Sequence, residues 1–178
     1  MKHTISLLVE NKPGVLSRVA GLFSGRGFNI ESLSVAETID PNISRMTILT
    51  TGNDQILEQI SKQLNKLINV IKVVDFKSNE YVGRELALIK VSVNEGTRSE
   101  VLSIVDVFRG KVVDVSADSY TVEITGDKNK IEAIIDLFRT LGIKEIARTG
   151  SAALMRGSKA RTSKSKKTNN SKEIDLIS

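Results

Sequence analysis

Three observations on this 178-residue chain predict an α+β fold made of two β-α-β-β-α-β units in succession. Segments that alternate apolar and polar residues take turns with segments whose apolar residues recur every three to four positions. The order strand, helix, strand, strand, helix, strand is complete by residue 78 and starts again at 84. The second half also keeps traces of the first: "LFSGRGFNIESL" faces "VFRGKVVDVSAD", and "TTGNDQILEQI" faces "ITGDKNKIEAI". This element order is that of the ferredoxin-like unit. The expectation is therefore two ferredoxin-like βαββαβ units, residues 1–78 and 84–157, joined near 79–83, with a basic tail at 158–178.

Each element has its own signal. Residues 3–10 ("HTISLLVE") alternate and are β-rich. Residues 15–27 put Val15, Val19, Leu22 and Phe23 on one helical face, and the glycines of "GRG" end that helix. Residues 28–37 alternate again, "DPN" at 40–42 is a turn, and 44–51 ("SRMTILTT") is a strand. Residues 53–68 form an amphipathic helix on Ile56, Ile60, Leu64 and Leu67, with Asn53 or Asp54 as its cap. A strand at 69–78 closes the first unit. In the second, 84–93 is a strand. A helix follows at 97–110, with Thr97 and Glu100 spaced as a capping box. Two strands flank "ADS" in a hairpin shorter than that of the first unit. The helix at 127–142 stops at Gly142, and the last strand is 143–149. Units this small bury little core alone, and their open sheet edges invite another chain.

Composition bounds the chemistry. Apolar residues make up 40% and charged residues 26%, which is globular, and with 4% aromatics and no Trp the core must be Val, Ile and Leu. No Cys is present, so disulfides, thiolate metal sites and a Cys nucleophile are excluded. The one histidine, His3, lies in the first strand, so a catalytic triad has nothing else to be built on. No His/Asp/Glu cluster has metal spacing. "GRGFNI" lacks the third Gly of a dinucleotide fingerprint and sits between a helix and a strand, the reverse of the required order. Apolar runs stay below ten residues, so no membrane span is expected, and the N-terminus enters a strand directly, without a signal-like segment. The net charge of +5 belongs to residues 151–178, which hold seven Lys and Arg against two acidic residues. The body is neutral and offers no field for nucleic acid. Nor do the middle strands carry the aromatic pairs of an RNA-stacking sheet, Tyr120 being alone. The tail, rich in Ser, Lys and Asn, has the composition of a disordered, solvated extension.

The stretch with chemical content is "NKPGVLSRVAGLFSGRGFNI", residues 11–30. The chain turns through Pro13-Gly14 into a helix whose first amides lack intrahelical partners and carry the positive end of its dipole. A carboxylate can dock there, and Gly14 gives it room, or supplies positive φ, or both. Asn11 and Asn29 can offer amide oxygens to an ammonium group. Val15, Leu16 and Ile30 are apolar neighbours. The set describes a site for an aliphatic amino acid. The same residues also read as a turn that only shapes the loop, with Asn residues that only cap it.

The chain resembles the regulatory (small) subunit of acetolactate synthase, also called acetohydroxyacid synthase. The resemblance runs over about residues 1–157. It is carried by "LLVENKPGVLSRVAGLFSGRGFNIESLSVAET", "SRMTILTTG", "LEQISKQLNKLINVIKV", "RELALIKV", "FRGKVVDVS" and "IARTGSAALMRG". It implies an N-terminal ACT domain, a ferredoxin-like module that binds amino acids at dimer interfaces, followed by an ACT-like C-terminal domain. It also implies a subunit with no catalytic residues and no cofactor of its own. The large catalytic partner would carry thiamine diphosphate, Mg²⁺ and FAD and form acetolactate from pyruvate on the way to valine, leucine and isoleucine. This chain would activate that partner and confer feedback inhibition by valine or another branched-chain amino acid. The family's effector loop and the facing Asn fall on Asn11, Gly14, Val15, Leu16, Asn29 and Ile30. The implied setting is bacterial cytoplasm or plastid stroma, with a homodimer through the ACT domain and no nucleic acid or membrane as partner. The alternative is a stand-alone amino-acid sensor on the same module.

Overall fold

The computed structural model describes residues 2–76 and 81–157. The first unit runs β1 (Lys2–Glu10), α1 (Val15–Ser24), β2 (Ile30–Glu37), β3 (Ile43–Thr51), α2 (Asp54–Leu64) and β4 (Val70–Phe76). The second runs β5 (Tyr81–Ser92), α3 (Arg98–Val107), β6 (Lys111–Val115), β7 (Ser119–Gly126), α4 (Lys128–Leu141) and β8 (Ile143–Arg148), and a further strand, β9 (Ala152–Met155), follows. The sheets have strand orders β2-β3-β1-β4 and β6-β7-β5-β8, antiparallel throughout. Both are the ferredoxin-like arrangement, as the element order predicts. No described helix is long and apolar enough to cross a membrane.

Each unit has its own core. Ile5 and Leu7 of β1 lie opposite Ile48 and Met46 of β3 and, with Val9, meet Val19 and Phe23 of α1 and Ile60 and Leu64 of α2. Ile89 and Val91 of β5, Val122 and Ile124 of β7, Val105 of α3 and Phe138 of α4 repeat the scheme. The "TTGND" and "ITGDK" repeats acquire a physical reason here. Asn53 and Asp127 cap α2 and α4, accepting from the Ile56 and Lys130 amides at 2.9 Å each. The glycine before each cap lies under the side chain four residues on. A Cβ on Gly52 would come within 2.8 Å of Ile56, and one on Gly126 within 2.5 Å of Lys130.

Helix α1 stops in a Schellman turn. The Phe28 amide donates to the Phe23 carbonyl and the Gly27 amide to the Ser24 carbonyl, with Gly27 at φ 69°. Helix α3 stops the same way, Gly110 bonding back to Val105 and Arg109 to Asp106, but its left-handed residue is Arg109, at φ 52°. Three expectations are corrected. Thr97 does not cap α3: its hydroxyl accepts from the Asn94 amide at 3.0 Å, and the Asn94 side chain accepts from the Gly96 and Thr97 amides. The preceding Asx turn uses the groups a capping box needs. Helix α2 ends at Leu64 rather than 68, where Asn65 turns its Nδ2 back to the Ser61 carbonyl at 2.8 Å. Finally, part of the expected linker is strand: β5 begins at Tyr81, and Tyr81–Arg84 pair with β9. The rest of that linker, 79–80, the end of the strand expected at 69–78, and the tail at 158–178 lie outside the described residues.

The β5–β9 ribbon matters because of where it lies. The outer face of the first sheet, away from its helices, carries Thr4, Ser6 and Thr47, each less than a tenth exposed. The ribbon contributes to covering this face. Tyr81 stacks on Phe76 with ring centroids 5.0 Å apart, its hydroxyl lies 3.2 Å from that of Thr4, and the buried Ala153 donates its amide to Thr47 Oγ1 at 3.4 Å. The chain thus ends its described part back on the unit with which it began.

Candidate functional site

The predicted site begins where β1 runs out. The Asn11 amide donates to the Asn42 carbonyl at 2.7 Å, tying this loop to the β2–β3 hairpin. Asn11 Nδ2 donates to the Pro41 carbonyl at 2.9 Å and to Glu37 Oε1 at 3.1 Å. Both bonds use the nitrogen, which leaves the acceptor Oδ1 over. Gly14 follows as the N-cap of α1, at φ 82° and ψ −7°. A Cβ built on it meets nothing within 4 Å, so it is the backbone and not crowding that favours glycine here, and the space in front of the helix start is open.

The start of α1 is electrostatically bare. No side chain caps it and its first turn holds no acidic residue. By contrast, Asn53 and Asp127 cap α2 and α4, and Glu100 lies in the first turn of α3. The Val15 amide turns back to the Lys12 carbonyl at 3.3 Å, and the Leu16 and Ser17 amides act with the dipole of α1 on whatever occupies the space before Gly14. Val15 is 3% exposed and belongs to the core rather than to the wall of a site, while Leu16, at 41%, faces out.

One group of bracing residues was not legible in the sequence. Arg18 Nη1 donates to Asn69 Oδ1 at 2.5 Å, Asn69 Nδ2 donates to Glu10 Oε2 at 2.5 Å, and Lys12 pairs with the same oxygen at 3.2 Å. These bonds hold the Glu10 carboxyl below the ordinary carboxylate range, Asn69 first and Lys12 next. They lock both ends of the loop to the α2–β4 turn. The partners are up to 59 positions apart, and spacing gives no sign of them.

Asn29 and Ile30 lie elsewhere. They enter β2 after the Schellman turn; the Asn29 carbonyl accepts from Thr50 Oγ1 at 2.7 Å, and Ile30 is half-buried against the core. β2 then runs to Glu37, the residue that holds Asn11. Seven steps of antiparallel strand put about 24 Å between its two ends. A single chain therefore brings Asn11, Gly14, Val15 and Leu16 together and sets Asn29 and Ile30 at the opposite end of the sheet. The strand between the two groups is an edge strand of its sheet.

Other chemistry has little to build on. His3 Nε2 lies 3.2 Å from the Gly52 carbonyl in a strand-edge setting. Among the described residues no group of three or more His, Asp or Glu could hold a metal ion.

Comparisons with known proteins agree along the chain. A family model described as the small subunit of acetolactate synthase matches residues 84–157, and one described as the AHAS small subunit-like ACT domain matches residues 5–72. The chain is 57% identical over 158 residues to a probable acetolactate synthase small subunit of Methanothermobacter thermautotrophicus, covering 88% of this chain and 94% of that one. It is 56% identical over 155 residues to the acetolactate synthase small subunit of Mycobacterium bovis, covering 87% and 92%. Among solved structures it is similar to the acetolactate synthase small subunit of Thermotoga maritima, with TM-score 0.81, 46% identity and coverage of 88% and 98%.

Proposed function

Since the chain belongs to the acetolactate synthase small-subunit family, we propose that it is a non-catalytic regulatory subunit that activates a large catalytic partner and makes it sensitive to a branched-chain amino acid, valine first among them. Thiamine diphosphate, Mg²⁺ and FAD would be held by that partner. The observation that carries the effector reading is the bare, open start of α1 at Gly14. An effector carboxylate would take the α1 amides, its ammonium group the Asn oxygens, and its branched side chain the apolar surface of Leu16 and Ile30.

The separation of the two residue groups supports a dimeric site. Two copies paired antiparallel through the β2 edges would set Ile30 of one beside Glu37 of the other. Asn29 and Ile30 of one copy would then face the 11–16 loop of its partner, twice per dimer by symmetry. On this reading the first unit holds effector binding and dimerisation, and the second contributes to activation of the catalytic chain. Reconstitution with the large subunit tests it: acetolactate formation should rise on adding this chain and fall as L-valine, L-leucine or L-isoleucine is titrated in. An enzyme indifferent to the presence of this chain would sink the regulatory reading.

A further inference from the structure

β2 changes register once. Ile30 pairs with Thr50 and Ser32 with Leu49, so Glu31 is an extra residue, a β-bulge. A bulge re-aims side chains. Here it puts Glu31 and Ser32 together on the outer face of the sheet, the face turned to the second unit. Glu31 accepts a hydrogen bond from Thr51, and its Oε2 lies 3.5 Å from Lys2 Nζ. The same oxygen lies 3.6 Å from Nζ of Lys128, the first residue of α4 in the second unit. Gly150 presses against the next two residues: a Cβ on it would come within 2.5 Å of Ser32 Oγ and 3.3 Å of the Leu33 carbonyl oxygen. Around these contacts the units face each other across a polar cleft of about 440 Å³, lined among others by Lys2, Glu31, Lys128 and Glu132.

Two consecutive dipeptides of one strand thus serve different neighbours. Asn29–Ile30 belong to the proposed effector site; Glu31–Ser32 hold the second unit. Glu31 has no register partner on β3, so the link between the two dipeptides is a residue outside the ladder. We infer that this bulge relays effector occupancy to the second unit, with Glu31 as a positioning residue acting through Lys128. The relay rests on the regulatory reading above. It needs a ligand that binds the latched and unlatched arrangements unequally, and a ligand held by Asn29 and Ile30 meets that condition by moving the residues that anchor the latch.

The test uses the full chain with its catalytic partner. Lys128→Met and Glu31→Gln each remove one side of the latch, and Lys62→Met, which breaks an ion pair with Glu58 on the exposed face of α2 away from the cleft, is the control. L-valine binding to each variant is measured by calorimetry, and its half-inhibitory concentration on the reconstituted enzyme separately. The relay predicts weaker binding in the Lys128 and Glu31 variants, because the ligand favours the latched arrangement, and a half-inhibitory concentration raised at least fivefold and by clearly more than the loss of binding. The double variant should be no worse than either single one, and Lys62→Met should leave both quantities unchanged. Hydrogen exchange gives a second readout: L-valine should slow exchange at the start of α4 in wild type and not in Lys128→Met. Unaltered inhibition in the latch variants overturns the relay. So does a loss of inhibition that only follows an equal loss of binding, which would place Glu31 in the site itself. If the wild-type chain binds none of L-valine, L-leucine and L-isoleucine, the effector reading falls, and the relay falls with it.

Discussion

Gly14 combines a left-handed backbone with open space in front of it. Of residues with a side chain, Asp and Asn tolerate this conformation best. Gly14→Asp would therefore fold, with strain of about 1 kcal/mol, and place a carboxylate at the amides the effector needs. Two like charges about 4 Å apart repel by about 1 kcal/mol in water and about 4 kcal/mol at an effective dielectric of 20. A loss of effector affinity from tens- to hundreds-fold is expected, measurable by calorimetry, with activation of the partner kept. Gly14→Asn, with the same backbone tolerance and no charge, should lose far less. Equal losses in the two variants would mean that charge is not what the site recognises. Arg109 offers the opposite experiment. It ends α3 in the left-handed conformation that Gly27 supplies for α1. Arg109→Gly should raise stability by about 0.5–1 kcal/mol, read from denaturant midpoints. No gain would mean that the arginine side chain contributes as much as its backbone costs.

The elements differ in how openly the sequence declares them. Strands and helices with one buried face are legible because burial enforces a period, as along β5 and α4. The Gly14 turn is legible because Pro and Gly carry their backbone preferences with them. β9 is not: four residues, "AALM", hold no period, and their partner Tyr81–Arg84 lies about 70 positions upstream. Nor could spacing reveal the Glu10–Asn69–Arg18 brace, or that Val15 belongs to the core while Asn29 lies at the far end of a strand. Those are facts of tertiary placement. The strand that sequence reasoning missed has a measurable weight. Ending the chain after Gly150 removes β9, its ladder to β5 and the burial of Ala153. At about 0.5–1.5 kcal/mol per hydrogen bond, the loss should be about 2–4 kcal/mol, with an earlier melting transition in calorimetry. Ending it after Gly157 should leave the melting transition and feedback unchanged. A chain ending at 150 that melted like the full chain would show that β9 only decorates the junction.

At the scale of the molecule, the two units have separate cores and share an outer face. Separate cores predict that a chain of residues 1–78 folds and still associates through β2. Sedimentation should find it as a dimer at micromolar concentration, and calorimetry should find L-valine bound. A monomer that binds no effector would place the dimer contact, and with it the completed site, outside the first unit. The full chain is also expected to sediment as a dimer, with or without effector.

The return of β9 to the first unit also sets an order in time. A ribosome adding about 5–20 residues per second makes Tyr81 roughly 4–15 seconds before Met155, its partner in the ribbon. Through that interval the first unit can complete its core and meet a second nascent copy through β2, while Thr47 waits for the strand whose Ala153 amide reaches it. Assembly of the subunit pair can therefore run ahead of sealing within each subunit. A message cut short before its last strand would yield chains that still find partners and carry an unsealed face into the assembly.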